Sequence, residues 1–291
     1  MTTRIIADIF SGVPNPTVTL TGQAEKDFLT RLQPTTKLSG AEAIPPAEAR
    51  LGYRGYLIES DSTTTKALSR DFRLVDGKLF GAGLAFRVSD AGTEQFLGSA
   101  SGPFQFQSSM SALLQGELAA RRANPVPPAQ NTTDSAAPGI PCPCAPVYEP
   151  TWWNDSVAGG RQATNNCYNY AANYRTDTFA QPGLASGQMY PSPIASASMI
   201  GAATRDALAS TSIAKCPAQG HLVALFIAPG VDFHWYRMGR NQFWSHKPGP
   251  SPVTNVDNAG ALITDPRKAD RGIYTQFCCF MIVMHGHVKI R

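Results

Sequence analysis

The side chains best suited to nucleophilic or proton-transfer chemistry are six cysteines and five histidines, and all of them lie beyond residue 141. Cys167 is the most informative. It stands in Thr164-Asn165-Asn166-Cys167-Tyr168-Asn169-Tyr170-Ala171, where short polar residues lead into a helix-compatible run. Thr164, Asn165 or Asn166 can serve as N-cap, because a short side chain accepts a bond from an otherwise unpaired helix N–H. That places Cys167 in the first helical turn, where the positive end of the helix dipole favours thiolate over thiol. Nucleophilic cysteines are activated in this way. The same position also suits a small buried cysteine that holds a helix against a sheet.

The histidines fall in a run that reads as an antiparallel meander. His221 to Ala228, Asp232 to Met238 and Gln242 to Lys247 are its strands. Pro229-Gly230 and Gly239-Arg240-Asn241 are its turns. With Pro229-Gly230 as a two-residue turn, His234 falls beside Leu225, and His221 lies at the far end beside Met238. The second turn makes His234 and His246 cross-strand neighbours on one face, whereas a one-residue slip would separate them. The expected roles are Cys167 as nucleophile, His234 as base and His246 as orienter, with Asn255 or Asp257 as substitutes for the last. Oxyanion donors would be the Cys167 N–H and the Gln162 side chain. Such a set attacks an amide carbonyl through a thioester, the imidazole taking the thiol proton and returning it to the leaving group. The bland alternative is that His234 and His246 are satisfied polar groups within an aromatic sheet. A zinc site of His234, His246 and Asp232 is a further alternative, but no ligand spacing demands a metal, and no cofactor is implied.

The elements that must hold these residues define an α+β protein. Arg4 to Phe10, Thr17 to Leu20, Tyr53 to Ser60, Phe72 to Val75 and Lys78 to Phe80 read as strands, the last two joined by the hairpin pair Asp76-Gly77. Helices are expected after Thr21, over Ala91 to Leu97 and over Ser109 to Arg121. Pro34 and Gly40 to Pro46 read as loop. Residues 1–121 thus form a small α+β domain of unknown role, without histidine or cysteine. In it Asp8 is expected at an edge or turn-facing position. Residues 122–150 are Pro-rich and unable to bury a core, hence a linker. Residues 151–291 would form the domain with the chemistry, opened by Trp152-Trp153 as core aromatics. Ala195 to Ser210 reads as a helix, Ile273 to Met284 as a strand, and His287 to Ile290 as one more. A disulfide from Cys142 or Cys144 to Cys216 is open, and Cys278-Cys279 would point to opposite faces of a strand.

With 16% charged residues, 25 Gly, 23 Pro and a net charge of +4, the chain has no basic block to track a phosphate backbone, so nucleic acid is not implied. No apolar run reaches the length of a membrane span. The first residues lack signal-peptide architecture, which leaves a soluble protein, cytoplasmic or exported by another route. Oligomeric state is left open.

Asn166-Cys167-Tyr168-Asn169-Tyr170-Ala171 resembles the Cys-x-x-Tyr-Ala helix start of CHAP-type amidohydrolases. A helix followed by a β meander is similar to the wider papain-like group that includes CHAP and NlpC-type peptidoglycan hydrolases. Gly220-His221-Leu222-Val223-Ala224 resembles the Gly-His-Val-Ala strand that carries their histidine. The resemblance covers parts of residues 160–250. It implies a papain-like C-terminal domain, His221 as the base in place of His234, and a peptide or peptidoglycan-like substrate. The Phe-His-Trp-Tyr and Trp-Ser-His-Lys-Pro runs between Asp232 and Gly249 depart from that pattern. The leading expectation is a cysteine-dependent peptidase or amidase. The competing ones are a non-enzymatic structural or assembly protein with an aromatic-rich sheet, and a toxin-like deamidase or transamidase using the same cysteine.

Overall fold

In a computed structural model of the chain, which describes residues 2–46, 49–60, 71–123, 141–157 and 159–291, helices combine with two antiparallel sheets. The α+β class read from the sequence is therefore the class of the fold. The chain divides into two compact units. Met1–Ile9, Asn15–Pro46 and Tyr53–Pro125 bound the first; Phe10–Pro14, Ala47–Gly52 and Val126–Arg291 bound the second. The sequence reading assigned all of 1–121 to one domain, but two short segments of that range pack with the C-terminal unit. Residues 124–140 of the expected Pro-rich linker lie outside the described residues.

The first unit holds β1 (Thr2–Asp8), β2 (Thr17–Thr21), α1 (Gly22–Arg31), β3 (Pro34–Lys37), β4 (Gly55–Ser60), β5 (Asp71–Val75), β6 (Lys78–Gly81), β7 (Leu84–Val88), α2 (Thr93–Leu97) and α3 (Ser108–Ala123). Its sheet runs β2-β1-β4-β5-β6-β7-β3. The strand β7 went unread in the sequence, and Pro34 begins a strand rather than a loop. Proline is tolerated there because a sheet edge asks nothing of its missing N–H. Asp8 is not at an edge, since it is fully buried at the end of an inner strand, but it does face the turn that follows, where Asn15 Nδ2 donates to its Oδ1 at 3.1 Å. Arg54 Nη2 and Nε lie 2.6 and 3.0 Å from its Oδ1, and Arg73 Nη1 lies 2.9 Å from its Oδ2. Burial opposes the charge, yet the two guanidinium groups hold the carboxyl down at about 2.

The second unit holds α4 (Pro150–Trp153), α5 (Arg161–Thr164), α6 (Cys167–Ala172), α7 (Ser196–Arg205), β8 (Ala209–Thr211), β9 (His221–Ala228), β10 (Asp232–Met238), β11 (Trp244–His246) and β12 (Gln276–Val283). The sheet order is β11-β10-β9-β12-β8. Every residue of β9 is buried, as expected for a central strand with both faces covered. Val223, Leu225 and Ile227 face a core shared with α6 and α7. Leu222, Ala224, Phe226 and Ala228 face a second core with Leu51, Tyr236, Trp244, Ile263 and Tyr274. Each of the Val, Leu, Ile and Phe side chains among them contributes about 1.5–3 kcal/mol by leaving water. The helix expected over Ala195 to Ser210 ends at Arg205 and is followed by β8. His287 to Ile290 forms no strand.

Turn lengths depart from the sequence reading. Ala228 pairs with Asp232, so the first hairpin turns through Pro229, Gly230 and Val231, and His234 lies opposite Phe226 rather than Leu225. His221 pairs with Val283 of β12, not with Met238. Met238 pairs with Trp244, so the second turn is longer, and Tyr236 rather than His234 lies opposite His246. This shift is by two residues, which preserves the face. In β12 a bulge between Phe277 and Cys279 breaks the alternation. Cys278 and Cys279 consequently both pack against the α6–α7 core instead of pointing apart.

Candidate functional site

Cys167 is the first residue of α6, as its sequence context requires. Asn166 is the N-cap: its Oδ1 accepts from Tyr168 N and Asn169 N at 3.0 and 3.1 Å. The Asn169 side chain returns the bond by accepting from Asn166 N at 3.1 Å, which completes a capping box. The thiol is wholly buried, and its Sγ lies 3.8 Å from the Phe233 carbonyl. Burial pushes this thiol well above its ordinary range, and the nearby Asp232 charge adds to the effect. The Trp235 N–H, the Ser11 hydroxyl and Lys247 pull the other way and are outweighed. The helix start is correct for an activated cysteine, but its surroundings favour the thiol.

His234 and His246 do meet. His234 Nε2 lies 2.9 Å from His246 Nδ1, and His246 Nε2 lies 3.1 Å from the Val256 carbonyl. At the other end Ser11 Oγ lies 2.6 Å from His234 Nδ1. A carbonyl can only accept, so the direction of the neutral chain is assigned from its Val256 end. His246 Nε2–H donates to Val256 O, His234 Nε2–H donates to His246 Nδ1, and the Ser11 hydroxyl donates to His234 Nδ1. The partner that orients His234 is thus His246, itself held by the Val256 carbonyl, rather than either substitute, Asn255 or Asp257. Asp257 serves its own loop, accepting from Ala259, Ala261 and Asp270 N–H groups. Burial pushes the His246 imidazole down to about 4.

The faces of β10 separate the expected nucleophile from the expected base. Phe233 and Trp235 flank His234 in the strand and share the core of Cys167 and Tyr168. The His234 ring instead lies against Tyr236, His246 and Tyr274, within 5.3 Å between centroids. Alternation along a strand puts these two sets on opposite sides. Ser11 lies on the His234 side, where its hydroxyl donates to His234 Nδ1, and its presence also eases the Cys167 thiol slightly back towards its ordinary range. His221, the base implied by the resemblance, is at the other end of α6. Its Nε2 lies 2.7 Å from the Ala171 carbonyl, to which the ring must donate, and burial pushes it down to about 3. Gln162 contributes its backbone carbonyl, which accepts from Lys247 Nζ at 2.5 Å.

The residues missed by the sequence reading come from Phe10–Pro14. The buried Asp232 carboxylate accepts from the N–H groups of Ser11, Gly12 and Val13 at 2.7, 3.1 and 2.9 Å, and from the Tyr274 hydroxyl. Burial nevertheless pushes its carboxyl up to about 6. The Gly12 carbonyl accepts from Asn166 Nδ2 and Gln181 Nε2, both at 2.8 Å. The Ser11-Gly12-Val13-Pro14 turn was visible as a turn, but nothing local announced where it would dock. Among the described residues no group of three His, Cys, Asp or Glu side chains could hold a metal ion. No helix described is long and apolar enough to cross a membrane. Of the tryptophan pair, Trp153 is core and Trp152 is exposed, with Arg161 over its ring.

Fold and site together define an α+β protein in which a helix-start cysteine and a Ser–His–His hydrogen-bonded chain are sealed inside the C-terminal unit. The chain is 43% identical over 137 residues to insoluble matrix shell protein 1 of Ruditapes philippinarum, a match that covers 46% of this chain and 87% of that protein. The chain belongs to the family of that protein. No family model matches the chain, and no solved structure matches it.

Proposed function

We propose that this is a non-enzymatic structural protein of an insoluble matrix, and that its C-terminal unit is a rigid building block. The carrying observation is burial. Cys167, His234 and Asp232 have no exposed surface and His246 is 1% exposed. Their polar atoms engage the chain's own atoms, which leaves a substrate carbonyl no way in. A network satisfied in this manner rigidifies a core and specifies one packing. The name of the Ruditapes philippinarum relative, insoluble matrix shell protein 1, supports the same reading. So does the Cys142–Cys216 disulfide, because such bridges persist in oxidising, extracellular surroundings. The test is alkylation of the native protein with limiting iodoacetamide between pH 5 and 9, with the label located by peptide mass spectrometry. Cys167 should stay unlabelled until the protein unfolds. Labelling of Cys167 in the native state well below pH 8 would overturn the proposal.

One observation favours a second reading, a cysteine amide hydrolase closed by its own chain. The Gly12 carbonyl accepts from two side-chain amides, that of Asn166, the residue before Cys167, and that of Gln181, as an acyl oxygen would in an oxyanion cradle. In this reading Phe10–Pro14 occupies the place of a peptide or peptidoglycan-like substrate, and the CHAP and NlpC resemblance is meaningful. Native labelling of Cys167 that is lost in His234→Ala would carry it. The deamidase and transamidase alternatives share the acyl-enzyme and stand or fall with it.

A further inference from the structure

We infer that Cys142, Cys144 and Cys216 form a thiol–disulfide exchange centre through which copies of this chain become covalently linked. The inference rests on the assembly reading above and names its chemistry. Cys142 and Cys216 are bridged, with Cα atoms 5.5 Å apart. Cys144 is a free, exposed thiol only two residues from that bridge. It sits in a tight turn, closed by the Ala145 N–H donating to the Cys142 carbonyl at 3.0 Å, which carries Pro143 and Cys144 at its apex. Its Sγ lies 3.8 Å from the carbonyl of Ala218, two residues beyond Cys216. The free thiol therefore flanks both arms of the bridge.

The two bridge sulfurs are not equally open. Cys142 is wholly buried, whereas Cys216 is half-buried and follows the exposed stretch 212–215, which includes Lys215. In the step assigned here, the Cys144 thiolate of one copy attacks Cys216 Sγ of a second. A Cys144–Cys216 bond forms between copies and the Cys142–Cys216 bond breaks. Cys142 leaves as thiolate and takes up the proton that Cys144 gave up. One disulfide is consumed and one formed, so no oxidant is needed. The second copy's Cys144 is still free and can attack a third copy, which propagates the chain.

The released Cys142 can also reclose its own bridge and expel the partner. Tethered groups compete at effective concentrations of order millimolar, so links decay in dilute solution and accumulate where copies are packed together. A matrix solid supplies that packing.

The experiment mixes natural-abundance and nitrogen-15 full-length protein, bridge intact, in degassed buffer with EDTA at pH 8. Dilute samples and sedimented solid are quenched with iodoacetamide. Non-reducing gels, free-thiol counts and isotope-mixed peptide mapping are the readouts. In the solid, Cys144–Cys216 links between isotopes should appear, with free thiols staying at four per chain. Cys144→Ser should abolish the ladder while still sedimenting like the wild type. A ladder that persists in Cys144→Ser, Cys144–Cys144 links with a falling thiol count, or a solid without links would each overturn the exchange centre and leave the matrix reading intact. If the protein never sediments, the matrix reading fails. Soluble protein concentrated to about the millimolar range then decides the exchange separately: trapped Cys144–Cys216 mixed disulfides between isotopes sustain it, and their absence ends it.

Discussion

Ser11 Oγ lies 2.6 Å from His234 Nδ1, although 223 positions separate the two residues in sequence. The same hydroxyl oxygen accepts from the Gly249 N–H at 3.1 Å. Ser11→Ala removes both bonds inside a buried site: His234 Nδ1 loses its hydroxyl donor, while the Gly249 N–H keeps only the Lys247 carbonyl at 2.9 Å. Each unsatisfied buried group costs about 1–3 kcal/mol. The variant should therefore melt several degrees below the wild type by calorimetry. An unchanged melting temperature would mean that the segment does not hold the sheet.

Asn166 does two jobs with one side chain, and two variants separate them. Its oxygen caps α6, and its Nδ2 donates to the Gly12 and Ala180 carbonyls at 2.8 Å each. Asn166→Ala forfeits cap and donors together; the cap alone is worth about 0.5–2 kcal/mol. Asn166→Asp keeps a good cap but sets a carboxylate against two carbonyls. It should unfold at lower urea than the wild type despite its favourable helix-end charge. If Asn166→Asp matches the wild type, the donor role is not significant.

Gly12 is held by proximity to an aromatic ring. A Cβ at this position would lie 2.5 Å from the Phe233 ring. Gly12→Ala should be destabilised by about 1–3 kcal/mol, the usual cost of overpacking a dense core. Phe233→Leu makes room, so the double variant should recover part of that loss in a urea titration. Strict additivity of the two substitutions would argue against the contact.

Acid should weaken the fold between pH 6.5 and about 4. His221 and His246 stay neutral when folded because burial pushes them down to about 3 and about 4. Unfolded, each titrates near 6.5, with an ordinary imidazole value of about 6.5. Over that window the unfolded chain binds more protons, so stability falls as pH falls. Asp232 opposes this trend. Its folded carboxyl, pushed up to about 6 by burial, takes a proton before an unfolded one does, so its contribution to stability grows as pH falls from 6 towards 4. Burial also raises the Asp206 and Glu94 carboxyls, which act in the same sense as Asp232; the two deeply buried histidines should outweigh the three. Urea midpoints should drop from pH 7 to pH 4.5, more steeply in Asp232→Asn and less steeply in His246→Asn. A midpoint that rises on acidification would contradict the burial of the imidazoles.

Much of the fold was legible because its causes are local. The start of α6 follows from Asn166 and Asn169 acting within three residues of each other. The Asp76-Gly77 pair likewise joins β5 to β6 where the sequence places a hairpin. The common face of His234 and His246 survived an error in turn length because that error was of two residues. In the first hairpin an error of one residue moved His234 from Leu225 to Phe226, since Val231 joins the turn and nothing in Pro229-Gly230 excludes it. Cys278 and Cys279 were misassigned for a similar reason, as a bulge depends on the partner strand.

What the sequence determined alone was therefore the menu of elements, the α+β class, the capped cysteine and the set of histidines available to it. Side-chain alternation, capping and turn chemistry act over a few residues, and they can be read from those residues. Tertiary structure alone decided that Ser11 and Gly12 enter the C-terminal unit, that His221 answers to Ala171 and not to Cys167, and that the Val256 carbonyl orients His246. These outcomes join residues far apart in the chain. They are selected by which buried polar groups must find partners once the core closes, and that choice exists only when the whole unit has folded.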